Sequence, residues 1–216
     1  MSDCPPEVCE ALKAALGELP LFPLGSTVLF PHTLLPLHIF EPRYRQMTQH
    51  ALDTHKVIAV VQCDRDENLA EVAGVGRIVH HEQLQDGRYH ILLQGIGRVR
   101  LEEELVSDER LFRCARATFM QSDDDHGSHR ALSALKACYD QLRSALPAND
   151  DSLGALIGNI EDPGIIADVV CAAALNDPAI RQRALAETHV ASRLELATEG
   201  LADLLLSHAP EADVVH

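Results

Sequence analysis

The stretch from Leu19 to Arg45, Leu-Pro-Leu-Phe-Pro-Leu-Gly-Ser-Thr-Val-Leu-Phe-Pro-His-Thr-Leu-Leu-Pro-Leu-His-Ile-Phe-Glu-Pro-Arg-Tyr-Arg, limits what this chain can fold into more than any other. Five prolines, Pro20, Pro23, Pro31, Pro36 and Pro42, stand among apolar and β-branched residues. Each removes an N–H that a strand with neighbours on both sides has to donate. The segment therefore predicts short edge strands and corners, at about 21–24, 27–30 and 33–40, and excludes a central strand. Pro42 suits the first position of a helix, where a missing donor costs nothing. Tyr44, Met47, Ala51 and Leu52 then share one helical face, so a helix is expected over about 42–53.

Downstream, Val57 to Gln62 is a continuous apolar run that reads as a buried strand. Val75 to Glu82 and Arg88 to Gln94 form a hairpin through Asp86-Gly87, a dipeptide suited to a type I′ turn. Across that turn Tyr89, Ile91 and Leu93 alternate with Arg88, His90 and Leu92. A further pair, Val99 to Leu105 and Leu111 to Met120, closes the β-rich half. Residues 121–128, Gln-Ser-Asp-Asp-Asp-His-Gly-Ser, form a short acidic linker. Beyond it the apolar period changes from 2 to 3.6, with Leu132, Leu135, Cys138, Leu142 and Leu146 on one stripe. Asp162-Pro163 and Asp177-Pro178 each place a capping carboxylate before a first-turn proline. A last helix at about 189–207 carries Val190, Leu194, Ala197, Leu201, Leu204 and Leu205. The expected class is α+β: a lead-in at 1–18 with Val8, Leu12, Ala15 and Leu16 at helical spacing, a barrel-like subdomain at 19–120, the linker, an all-helical subdomain at 129–208 and a tail at 209–216.

Composition narrows the function. The 216 residues carry 18 basic and 33 acidic side chains, a net charge of −15, which repels phosphate backbones and anionic lipid. No block of basic residues occurs, and only 4% of the chain is aromatic, so stacking platforms for single-stranded nucleic acid are scarce. Nucleic acid and membrane are therefore not expected as partners. The apolar run Ile165 to Leu175 is short and holds Asp168, so it cannot span a bilayer. Six cysteines (Cys4, Cys9, Cys63, Cys114, Cys138, Cys171) include no C-x-x-C pair, and no secretory signal opens the chain. A reducing cytoplasm is the expected location.

The motifs give no catalytic centre, no metal site and no cofactor. A phosphate-cradling loop needs Gly-Lys, which is absent, and no G-x-S-x-G elbow occurs. Gly74-Val-Gly76-Arg77 and Gly95-Ile-Gly97-Arg98 lack the third glycine of a dinucleotide loop and lead into strands, so they read as bends or bulges. His81-Glu-Gln-Leu-Gln85 has Gln85 where a zinc helix needs its second histidine. His81 and His90 instead face each other diagonally across the hairpin, at about 7–8 Å between Cα atoms, and read as exposed strand residues. Asp123, Asp124 and Asp125, with His126 and His129, read as a solvated linker. Cys63, with His55 upstream, is the one thiol to consider as a nucleophile; a buried inert thiol is the default.

Leu19-Pro-Leu-Phe-Pro-Leu24, Pro31, Pro36-Leu-His-Ile-Phe-Glu-Pro-Arg-Tyr-Arg45, Val72-Ala-Gly-Val-Gly76 and Asp86-Gly-Arg-Tyr-His-Ile-Leu-Leu-Gln-Gly95 resemble the Lon protease N-terminal (LON substrate-binding) domain family. The resemblance runs from about Leu19 to Leu206, and the form Ile39-Phe-Glu-Pro-Arg-Tyr-Arg45 is similar to stand-alone bacterial members. It implies a PUA-like β-pseudobarrel followed by a helical bundle, without the ATPase and Ser–Lys peptidase domains of the protease. The same domain type occurs in cereblon, whose paired C-x-x-C zinc ligands are absent here. The implied function is a non-catalytic module that binds unfolded or extended polypeptide, as an adaptor or holdase, with a separate protease or a second copy as partner. Phe22, Phe30, Pro31, Phe40 and Tyr44 are the candidate peptide contacts, with Arg43 and Arg45 as polar anchors. A self-associating structural protein is the alternative. An RNA-binding role by analogy with the PUA-like fold comes third, and an enzyme using a pocket between barrel and helices last.

Overall fold

The structure, a computed structural model, describes residues 6–123, 127–145 and 152–208. Cys4, Asp124, Asp125, His126, Leu146 and the tail at 209–216 lie outside the described residues. Six strands form one sheet: β1 (Leu19–Leu24), β2 (Leu34–Ile39), β3 (Val57–Gln62), β4 (Val72–Gln83), β5 (Tyr89–Glu104) and β6 (Cys114–Met120). Their order is β2-β5-β4-β3-β1-β6, and β5 also pairs with β6. Five strands therefore close into a ring, and β2 hangs outside it on β5. The helices are α1 (Pro6–Ala15), α2 (Pro42–Asp53), α3 (Ser128–Ala145), α4 (Ser152–Ile157), α5 (Pro163–Ala174), α6 (Pro178–Ala186) and α7 (Val190–His208). Strands followed by helices give the α+β, barrel-then-bundle architecture that the sequence predicts.

The prolines of β1 correct the first expectation. β1 lies between β3 and β6, yet it changes partner along its length: Leu19 and Pro20 pair with β6, and Leu21 to Leu24 pair with β3. The Leu21 N–H donates to the Arg113 carbonyl, and the Leu24 carbonyl accepts from the Cys63 N–H. Backbone groups alternate sides along a strand, so Pro20 faces β3 before that ladder begins and Pro23 faces β6 after that ladder ends. Neither missing donor falls where a ladder needs one. An interior strand thus accommodates two prolines.

Residues 27–30, expected as a strand, are irregular. Val28, Leu29 and Phe30 are nevertheless buried, because this segment lies directly on the sheet. A Cβ at Gly74 would collide with the Leu29 carbonyl, and one at Gly95 with the Phe30 carbonyl. The two glycines are thus required by close approach of backbone, with register shifts in the same ladder at Val75/Gly76 and Ile78/His80. Gly95 and Gly97 do not interrupt β5, which runs as one strand of 16 residues instead of the two expected. The hairpin turn also differs. Gly87 alone has positive φ (+81°), the Gly87 N–H donates to the Leu84 carbonyl, and the Leu84 N–H donates to the Arg88 carbonyl. That is a three-residue loop with a glycine bulge, not a type I′ turn.

Three apolar clusters hold these layers. One face of β3, Ile58 and Val60, packs with Ile39, Met47, Tyr89, Ile91 and Leu93 under α2. The other face, Val57, Ala59 and Val61, packs with Leu19, Leu21, Val75 and Val99, and α1 covers it through Leu12 and Ala15. The lead-in is thus part of the core. The third cluster joins Leu135, Ile166, Val170, Leu185, Leu194 and Leu201 of the helices to Val28, Phe30 and Val72 of the barrel. Asp162 and Asp177 cap α5 and α6 as expected, accepting from Ile165 N–H and from Ala179 and Ile180 N–H.

Candidate functional site

β2 has a partner on one side only, so its outer edge is open backbone; β4 beyond Arg77 is likewise paired only with β5. The Gly95 N–H donates to the Thr33 carbonyl at 2.8 Å, which fixes the phase of the β2–β5 ladder. Leu35 and Leu37 consequently bond inward to β5, and Leu34, Pro36 and His38 turn their backbone groups outward. Pro36 has no N–H, so the edge offers donors at Leu34 and His38 only. The side chains of this set lie on the outer face: Leu34 and Phe40 are each 60% exposed, and Pro36 and His38 are exposed between them. Ile39 and, in part, Leu35 and Leu37 point into the core under α2. The period-2 burial is what a half-buried edge strand requires.

The seven residues singled out from the sequence divide by burial. Phe22 stacks edge-on against Tyr44 with ring centroids 4.5 Å apart, Phe30 has no exposed surface, and Pro31 is buried. As placed, Phe22, Phe30, Pro31 and Tyr44 are buried, with Pro31 lining the cleft between barrel and helices; an aromatic beside a proline here fills a corner. Phe40, Arg43 and Arg45 remain at the surface, beside the open edge. Arg43 Nε donates to Glu41 Oε2 at 3.0 Å, and its guanidinium lies 4.6 Å from the Tyr44 ring centre. Arg45 lies over Gly87 at the hairpin tip, where a Cβ would strike its guanidinium. Leu34 and Pro36 were not among the seven, although the alternation from Leu34 to Phe40 was the available signal.

A second feature lies at the seam between barrel and helices, and no motif announced it. Arg98 on β5 donates through Nη2 to Asp168 Oδ1 of α5 at 2.6 Å, and Arg193 Nε of α7 stands 3.1 Å from the same oxygen. Arg98 also bonds the Leu185 carbonyl and Ser122 Oγ. Arg193 bonds Ser122 Oγ and the Glu187 and Thr188 carbonyls. Asp168 thus sits in the apolar run of α5 because two guanidiniums meet it there. Burial pulls the Arg193 pKa down, against the opposing pull of Asp168. These groups floor a cleft of about 530 Å³ between barrel and bundle. The arginines are already engaged in bonding the two layers together.

The remaining sequence candidates resolve plainly. His81 stands opposite Ile91, and His90 opposite Glu82, so the two histidines lie on opposite faces of the hairpin. Burial pushes the Cys114 thiol up to about 11 and the Cys171 thiol up to about 12, away from nucleophilic range. No disulfide links the described cysteines Cys9, Cys63, Cys114, Cys138 and Cys171. No helix among the described residues is long and apolar enough to cross a membrane.

A closed barrel with one strand hung on its outside, braced by a helical bundle, defines a sheet-based α+β module. The chain belongs to the family of the ATP-dependent protease La (LON) substrate-binding domain, whose profile matches residues 18–203. Lon protease of Desulfosudis oleivorans is 24% identical over 191 residues, covering 85% of this chain and 23% of its own length. Lon protease 1 of Bdellovibrio bacteriovorus is 30% identical over 154 residues, 68% of this chain and 19% of its own length. The Escherichia coli K12 Lon protease is 26% identical over 191 residues, 82% of this chain. The chain thus spans about a quarter or less of the length of these relatives. Two solved structures share the fold. The Lon N-terminal domain protein from Xanthomonas campestris has a TM-score of 0.59 at 20% identity, covering 82% of this chain and 95% of its own. The N-terminal domain of Mycobacterium avium complex Lon protease has a TM-score of 0.70 at 14% identity, covering 86% and 98%.

Proposed function

We propose that this chain is a non-catalytic polypeptide-recognition module that takes an extended segment along the outer edge of β2. The observation that carries this reading is the coincidence of an open strand edge with the exposed row Leu34, Pro36, His38 and Phe40. Edge addition draws affinity from main-chain bonds and specificity from alternate side chains. Arg43 and Arg45 flank the row as polar anchors. The recognition unit is the barrel part, 19–120, and the helical part, 129–208, braces it. The module works in the cytoplasm without nucleotide, as an adaptor or holdase for unfolded chains that a separate protease receives. Its net charge of −15 argues against nucleic acid as ligand.

The test is fluorescence anisotropy of a labelled, permanently unfolded protein titrated with this chain in the absence of ATP. Saturable binding that weakens in Phe40→Ala and Leu34→Ala, with circular dichroism unchanged, supports the reading. The absence of binding sinks it. Self-association through the same edge is the second reading, favoured by the exposure of Leu34 and Phe40 beside unpaired backbone. A mass that rises with concentration in sedimentation, without affinity for unfolded chains, selects it.

A further inference from the structure

We propose that the outer face of β2, β5 and β4 holds a site for a divalent transition metal of the zinc class, formed by His38, His90 and Glu82. The three residues stand in one row across three neighbouring strands. His38 is directly opposite His90, and His90 is directly opposite Glu82. Directly opposed residues keep their Cβ atoms about 4.5–5.5 Å apart and share a face of the sheet. The row therefore places two imidazoles and a carboxylate side by side on one face of the sheet, with His90 in the middle.

Imidazole nitrogen and carboxylate oxygen are both zinc ligands, at about 2.0–2.2 Å, and three protein ligands leave a fourth position for water. The side chains are already neighbours: the rings of His38 and His90 meet edge-on with centroids 4.9 Å apart. His90 Nδ1 stands 3.8 Å from Glu82 Oε2. These are contact distances, and among the described residues no three such donors converge on a metal position as they stand. Convergence needs only rotation of free side chains, because the His90 and Glu82 side chains are 53% and 64% exposed and His38 is exposed too. The backbone register, which side-chain rotation cannot supply, is in place. His80, opposite Leu92 and two residues before Glu82, lies on the same face as a fourth donor.

His81 faces away from this row, into a recess with Gln49, Asp53, Lys56 and Tyr89. The chain's negative charge also favours a cation at this face. A bound ion would tie β2, which has one partner, to β4 across β5. The site shares His38 with the edge row, but metal binding is read without any peptide present.

The experiment is calorimetric titration of the full chain with Zn2+, paired with the visible absorption of its Co2+ complex. One dominant site is expected, with the d–d bands of tetrahedral Co2+. His38→Ala and His90→Ala should each weaken it by at least about tenfold, since changes even outside the ligand sphere reach that scale. Glu82→Gln should weaken it as well, and His81→Ala should leave it unchanged. Zn2+ should raise the unfolding temperature of the parent chain and leave that of His38→Ala unmoved. All four positions are exposed, so the variants keep the fold, which circular dichroism checks. Affinity indifferent to His38 and His90, dependence on His81, or the absence of saturable binding would each overturn the proposal.

Discussion

β1 and β2 are both six residues long and both contain proline, yet one is built into the ring of strands and the other hangs off it. In β1 the prolines sit at the two positions whose ladders are absent, so the strand is shared between β3 and β6 without a lost bond. In β2 the proline sits on the side that no strand occupies, and it removes a donor from an edge left open. A proline therefore reports which side of a strand is unpaired at that residue. It does not report whether the strand is central. The same contrast holds for charges. Arg98, Asp168 and Arg193 pair out of water inside the seam, whereas Arg43 and Glu41 pair where water competes.

The largest effect should come from the buried side. Asp168→Ala strands two buried guanidiniums and should cost about 3–5 kcal/mol, read as a lowered denaturant midpoint. A change smaller than about 1 kcal/mol would mean that the seam is wetter than its burial indicates. Leu21→Ala, in β1, should cost about 2–5 kcal/mol as a core truncation. Leu34→Ala, in β2, should stay within about 0.5 kcal/mol, because its side chain already meets water. Equal costs for these two leucines would erase the distinction between the strands. Phe40→Ala should cost binding and not folding: more than about 1 kcal/mol in affinity for an unfolded chain, with an unchanged unfolding midpoint. Pro36→Val should leave stability as little changed as Leu34→Ala does. It restores an N–H on the open edge, so self-association measured by sedimentation should rise while the unfolding free energy moves by less than about 0.5 kcal/mol.

Local chemistry was legible in the sequence. The helix starts at Pro42, Pro163 and Pro178 followed from residues that act on their immediate neighbours, and so did the alternation of Tyr89, Ile91 and Leu93. Long-range placement was not. Nothing in Thr27 to Phe30 says that a piece with strand-like composition will lie across Gly74 and Gly95 as irregular chain. Aromatic residues beside prolines suggested contacts, but Phe22, Phe30 and Tyr44 fill corners, because a corner needs bulk on its inner side. Arg193 lies within the apolar stripe of α7, between Val190 and Leu194, with no exposed surface. Its partner Asp168 is 25 residues away in sequence and Arg98 is farther still. A buried charge cluster assembled from three elements leaves no local pattern to read.

The pairing of Leu19 with Ala115 has a consequence for synthesis. While the chain emerges from the ribosome, β1 is complete long before β6 exists, and the ring cannot close until it does. Throughout that interval the sequence Leu-Pro-Leu-Phe-Pro-Leu is an apolar strand with half of its pairing unmade. Two absent donors in six residues make it a poor template for another nascent chain. The prolines that look like an obstacle to the finished sheet act as gatekeepers while it is being made.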